Sequence, residues 1–193
     1  MTVAERLDTW IGNRSDSELS RWLIGRSWQV RLPLILISAW YLVTWIDDVD
    51  RSSWFSGLNL GIHEAGHLLT GAFGHFICAA AGSFFQCLAP VIAAVLFIRQ
   101  RDFSAVGFCF TWLASNLFSV AQYVADAPYQ RLQLVTVGSG EAQHDWAFLL
   151  GEMNLLGAAG LLAGCLRLIG YVTALLAIAW GSWVLYRMAQ EKR

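Results

Sequence analysis

Three residues within a span of five, His63, Glu64 and His67 in the stretch GIHEAGH at 61–67, have types and a spacing that can do chemistry. On a helix, positions i and i+4 share a face, so His63 and His67 can offer two imidazoles to one metal ion. Glu64 then sits beside them, within reach of a water on that metal. This is the arrangement of a zinc hydrolase. Zinc brings the pKa of its water toward ~7 and polarises a scissile carbonyl, and a carboxylate must take the proton and pass it to the leaving amine. Glu64 is the residue for that base. The bland alternatives are a polar patch bonded to a neighbouring helix and a pair of haem ligands. Haem ligands face each other from different helices, and neither alternative employs a glutamate between the histidines.

The surroundings raise the weight of the motif. It lies in an apolar stretch from Trp54 to Phe73, where an unliganded cluster of two imidazoles and a carboxylate carries a desolvation cost that something must offset. The whole chain is of this kind: 193 residues, 56% hydrophobic, 14% charged, with ten tryptophans, a composition that points to a membrane protein. Uncharged runs near the ~20 residues that cross a bilayer fall at 32–46, 54–74, 82–98, 103–125, 146–166 and 168–186. The expected fold is therefore all-α, a polytopic transmembrane bundle of about six spans over 32–193, preceded by a basic, amphipathic cytoplasmic segment at 1–31. In that segment Ser15 and Glu18 are spaced as a capping box, and Leu19, Trp22 and Leu23 share a helical face, as in a helix lying on the membrane surface.

A net charge of −1 excludes nucleic acid as a natural partner; the expected partners are the lipid bilayer and a membrane protein substrate. With six spans and a cytoplasmic N-terminus, nine Lys and Arg residues fall inside and four, Arg51, Arg99, Arg101 and Arg167, outside, which favours both termini inside. Tryptophans near the span ends, Trp28, Trp45, Trp54, Trp146 and Trp183, fit an aromatic belt. Cys78, Cys87, Cys109 and Cys165 are scattered without a CxxC pair and read as small buried hydrophobes. The polar, basic first thirty residues predict no cleavable signal peptide, so that the first span would act as its own insertion signal.

Two connections are expected to be more than linkers. FGHFICAAAGS at 73–83 has glycines and no formal charge outside His75, and can dip into the membrane where protein covers its backbone. RLQLVTV at 131–137, between Pro128 and Gly138, reads as a short strand.

HEAGH in a polytopic membrane chain, followed by a glycine-bearing loop and a helix with Gly82, Ser83, Gln86 and Pro90, resembles the site-2 protease family of intramembrane zinc metalloproteases, over residues 54 to about 152. The resemblance implies intramembrane proteolysis of polypeptide substrates, a Zn2+ cofactor, His63 and His67 as ligands, Glu64 as base, and a bacterial inner membrane as the location. It also implies a third ligand, an aspartate in a later helix within an Asp-Gly dipeptide. This chain contains no Asp-Gly dipeptide.

A catalytic zinc takes three protein ligands and keeps one position open. The third is sought in HDW at 144–146, where the fifth span begins: Asp145 matches the family's ligand chemistry, His144 would give a three-histidine site, and whichever does not bind can orient the other or cap the helix. Glu152, seven residues beyond Asp145, lies near the same helical face. Ser115, Ser119, Gln122 and Asp126 form a polar stripe along the fourth span with Asn116 beside it; interhelical hydrogen bonding is its expected role and lining a catalytic channel the alternative. Gln86, Asn116, Gln122, Asp126 and Glu152 together are the candidates for the metal's surroundings or the substrate channel, and His75 is expected at the interface. In a straight six-span bundle His63 and His67 stand ~10–15 Å from residues 144–145, which predicts that the chain dips inward at 136–145. Two other functions fit the same motif: a non-catalytic membrane metal protein or scaffold, which has no need of Glu64, and a hydrolase of small lipid-soluble amides or esters.

Overall fold

The computed structural model describes residues 22–23, 26–134 and 143–191, and all regular structure among them is helical. Six α-helices follow one another: α1 (Leu32–Asp47), α2 (Ser56–Thr70), α3 (His75–Arg99), α4 (Phe103–Asp126), the short α5 (Asp145–Glu152) and α6 (Ala159–Glu191). Single 3-10 turns at Gly71–Phe73 and Leu156–Ala158 precede α3 and α6.

Local chemistry explains the breaks. Pro33 sits in the first turn of α1, where its missing N–H is no loss. Gly74, at φ +93°, takes a conformation that a side chain would disfavour and separates the 3-10 turn from α3. Asp102 caps α4 by accepting from the Ala105 N–H at 3.3 Å.

Three helical stretches, His75–Arg99, Phe103–Asp126 and Leu156–Gln190, are long and apolar enough to cross a membrane; α1 is apolar but only 16 residues long. Within its apolar core the bundle buries polar groups, and on its outside it exposes apolar ones. Asn59, Ser83, Gln86, Thr111, Ser115 and Asn116 are buried, while Phe84, Val91 and Leu96 of α3 and Leu168, Leu175 and Leu176 of α6 are exposed. An exposed apolar belt around a hydrogen-bonded interior suits lipid as solvent.

The two spans expected at 146–166 and 168–186 are instead the eight-residue α5 and the single 33-residue α6. Arg167, which marks a boundary when the sequence is read alone, lies within α6 and meets Asp50 at 2.7 Å. The dip expected at 73–83 is likewise absent, because α3 runs unbroken from His75. Residues 131–134 form no strand; 135–142, and with them most of the dip expected at 136–145, lie outside the described residues. Of the expected surface helix at 15–24 only Trp22 and Leu23 are described, and they are helical and packed on Val184 and Met188.

Helix directions differ most from the expected meander. Along α1, Ser38 meets Thr111 at 2.7 Å and Trp45 packs on Phe118, so α1 runs parallel to α4. Ile35 lies beside Gly181 and the Trp45 carbonyl accepts from Tyr171 at 2.8 Å, so α6 is antiparallel to both. Asn59 accepts from the Trp112 indole at 2.7 Å and His63 lies near Tyr123, so α2 also runs parallel to α4. Two consecutive helices can share a direction only if their connection returns, and 48–55 does: the Trp54 N–H donates to the Tyr41 hydroxyl at 2.8 Å, and its indole stacks on Trp40 at 5.3 Å. α3 runs back against α2, pairing residues 63 with 86 and 67 with 78.

Small residues permit the closest approaches. A Cβ on Gly66 would come within 2.7 Å of the Ala81 carbonyl oxygen, and one on Gly181 within 2.9 Å of Ile35. With apolar lipid outside, helix association relies on such packing and on hydrogen bonds between helices.

Candidate metal centre

The middle of α2 supplies the first two side chains. His63 and His67, one turn apart, project toward α3 at the level of Gly82. Each ring is held by its Nδ1. The Nδ1–H of His67 donates to the Cys78 carbonyl at 2.8 Å. His63 Nδ1 lies 3.2 Å from the Gln86 amide oxygen. That amide is oriented in turn, since its nitrogen donates to Asn116 Oδ1 at 3.2 Å and Asn116 Nδ2 donates back to the Gln86 carbonyl at 2.6 Å. With the Gln86 oxygen facing His63, the proton of that ring belongs on Nδ1, and both histidines present bare Nε2 atoms to the same space.

The third group comes from α5. Asp145 Oδ2 lies 3.0 Å from His63 Nε2 and 3.3 Å from His67 Nε2, and one ligand atom from each of the three residues falls within 4.8 Å of the others. Tyr123 fixes this carboxylate: its hydroxyl accepts from the Asp145 N–H at 3.0 Å and donates to Oδ2 at 3.4 Å.

His144, the alternative third ligand, points elsewhere. It caps α5, its Nδ1 accepting from the Ala147 N–H at 3.2 Å, which leaves the proton on Nε2, 3.3 Å from Asp126 Oδ2. Burial holds this imidazole below the usual histidine range, against the pull of the Asp126 carboxylate. Asp126 also accepts from the N–H groups of Arg131 and Leu132 at 2.9–3.0 Å. The Asp126–His144 pair thus joins the end of α4 to the start of α5 and is not part of the three-residue cluster. The expected gap between residues 63–67 and 144–145 closes because α5 begins alongside α3, with the Trp146 indole donating to Ser83 at 3.0 Å.

A cavity of about 550 Å³ opens on this cluster. Glu64 lines it, and its carboxylate makes no hydrogen bond among the described residues. Ser119 and Gln122 lie on its wall, and among the described residues neither side chain bonds a neighbouring helix, whereas Ser115 turns back to the Trp112 carbonyl. His75 borders it too, its ring over Phe148 at 4.2 Å. Glu152 does not approach: it is exposed at the far end of α5, two turns or ~10 Å along the axis from Asp145.

The donor set fits a small divalent cation. Two bare imidazole nitrogens and a carboxylate oxygen are all acceptors, and at 3.0–3.3 Å they repel one another unless a metal ion or added protons stand between them. Two nitrogens and one oxygen with outward Nδ1–H anchors are the ligands and supports that zinc takes in a site with an open position. Gly82 leaves the room, because a Cβ there would lie 2.5 Å from His63 Nε2 and 2.7 Å from His67 Nε2.

Reasoning from sequence missed Tyr123, the Cys78 carbonyl and Asn59. Tyr123 stands seven residues beyond Asn116, on the same face of α4, and Asn59 stands four before His63, on the same face of α2; those spacings are the signals that could have found them. A backbone carbonyl leaves no trace in side-chain types. No protein-family model, no curated protein and no solved structure matches the chain.

Proposed function

We propose that the chain is an intramembrane zinc endopeptidase of the site-2 protease kind, acting on membrane-embedded polypeptides in a bacterial inner membrane, with both termini cytoplasmic. The observation that carries the reading is the convergence of three acceptor atoms, His63 Nε2, His67 Nε2 and Asp145 Oδ2, with each imidazole anchored through its other nitrogen. These three residues would hold the ion. When bound, zinc acts as a Lewis acid that acidifies water and polarises the scissile carbonyl.

The chain's own residues do the rest. Glu64, in the cavity beside the cluster, accepts the proton of the attacking water on its carboxylate and returns it to the leaving amide nitrogen as the peptide bond breaks. Tyr123 holds Asp145 in place, and Gln86 and Cys78 keep the ring protons on the side away from the site. Ser119 and Gln122 give the cavity polar groups that can bond an extended backbone. Substrate must arrive unwound, since a helix engages its own amides.

Metal content by mass spectrometry on detergent-purified protein tests the site. We expect about one zinc per wild-type chain, lost in His67→Ala and Asp145→Ala and kept in His144→Ala. Folded wild-type protein that takes up no zinc when supplied with it would mean that protons hold the cluster and that it is a polar packing motif. Glu64→Gln should keep the metal and abolish cleavage of membrane peptides; cleavage that survives it would refute the general-base role and favour a non-catalytic, metal-binding relative.

A further inference from the structure

The direction of α2 decides which side of the membrane the cavity faces. Because α1, α2 and α4 run parallel and α3 and α6 run against them, the start of α1, the α3–α4 turn and the end of α6 share one face of the bundle. That face carries Arg26, Arg31, Arg99, Arg101 and Arg187. The opposite half holds Arg51, Arg131 and Arg167, of which Arg167 is paired with Asp50, together with Asp47, Asp48 and Asp126. Among the described residues this is five cationic residues against three, where a six-span meander divides the same eight four against four; the other five Lys and Arg residues lie outside the described residues. The gain arises because the return of 48–55 along α1 moves Arg99 and Arg101 to the side of the start of α1 and the end of α6, and Arg131 to the other. By the positive-inside rule the five-residue side is cytoplasmic.

The cavity lies at the other end. His67 is three residues, ~4.5 Å, from the end of α2, and His63 seven residues, ~10 Å. The cavity wall is completed by Leu132, Gln133, Leu134 and Gln143 from the connection after α4 and by His75 at the start of α3. All of these belong to the face away from the cytoplasm.

We infer that the site is reached from the non-cytoplasmic side and cuts polypeptides whose unwound stretch lies in the outer third of the membrane, releasing the distal fragment outward. Access from that side rests on charge and helix direction alone; the cutting rests on the peptidase reading above.

Two arms separate those parts. In the first, the four native cysteines are replaced and single cysteines are placed at Gln100, in the α3–α4 turn, and at Gln130, after α4, for labelling of intact bacterial cells stripped of their outer membrane with a membrane-impermeant maleimide. Gln130→Cys should label in intact cells and Gln100→Cys only after lysis; the reverse, or both on one side, overturns the inference. Should the cysteine-free chain fail to fold, C-terminal fusions to the wild-type chain give the same answer. Green fluorescent protein should fluoresce and alkaline phosphatase stay inactive; an active phosphatase with a dark fluorescent protein overturns it. In the second arm, one extended stretch is placed at the outer or the cytoplasmic end of a reporter span. Outer placement should be cut on the order of 100-fold faster, the scale of losing reactive alignment, and equal or inner preference overturns the substrate class. No cleavage of either reporter, with labelling as expected, would overturn the peptidase reading and the substrate class while the orientation stands.

Discussion

Gly82→Ala is the sharpest perturbation of the proposed centre, because it adds one methyl group and removes no ligand. The new Cβ would lie 2.5 Å from His63 Nε2 and 2.7 Å from His67 Nε2, where ordinary contacts begin near 3.4 Å. Either both rings retreat by roughly 0.7–0.9 Å or α3 backs away. The second route opens a packed crossing, since the backbone at Ala81 and Gly82 lies against Gly66, where a Cβ would find the Ala81 oxygen at 2.7 Å. Zinc–ligand distances tolerate about 0.2 Å, so a ring shift several times larger loses the ion. Overpacking itself costs about 1–3 kcal/mol, which lowers stability without abolishing the fold. The assay is metal content and chelator competition on purified protein, with thermal unfolding and far-ultraviolet circular dichroism in parallel. Gly164→Ala, where nothing lies within 4 Å of the added carbon, serves as control. The expected result is a folded, metal-free Gly82→Ala beside a metal-loaded Gly164→Ala. A Gly82→Ala protein that keeps one zinc at wild-type affinity would refute the claim that the space between the two Nε2 atoms is the metal's.

Gln86→Leu removes the acceptor of the His63 ring proton while keeping most of the bulk, and should weaken zinc binding by ~10–100-fold in the same competition assay. Tyr123→Phe should weaken zinc binding in that range too by freeing Asp145, and, since no ligand is removed, saturating zinc should restore occupancy. His144→Ala takes away the α5 cap and the imidazole beside Asp126, which keeps its two backbone donors, so it should lower stability by about 1 kcal/mol, read as a shift of the unfolding midpoint, while the metal is retained.

The cluster shows why side-chain types alone reach only part of a site. His63, Glu64 and His67 were legible because helical spacing is local: an i, i+4 pair meets one ion wherever the helix goes. The choice between Asp145 and His144 was not, because adjacent residues at a helix start diverge by the cap each makes, and the cap depends on Asp126 of another helix. Glu152 misled by sharing a helical face, which fixes direction but not depth along the axis. Gln86 and Asn116 stood out as polar residues in apolar runs, yet their reciprocal bonding exists only across the α3–α4 crossing.

By itself the sequence determined that the chain is helical and apolar, that its buried polar groups must find partners, and that one turn of one helix carries two histidines on a shared face with a glutamate beside them, since all of these follow from composition and short-range periodicity. Tertiary structure alone decided that α2 runs with α1, that the last two expected spans are one short helix and one long one, that Asp145 closes the cluster with Tyr123 behind it, and which end of the bundle the cavity faces. The physical reason is that these depend on helix direction and on contacts between residues far apart in the chain, 82 positions for His63 and Asp145 and 126 for Trp45 and Tyr171; a run of apolar residues reads the same in either direction through a membrane, and only its neighbours distinguish the two.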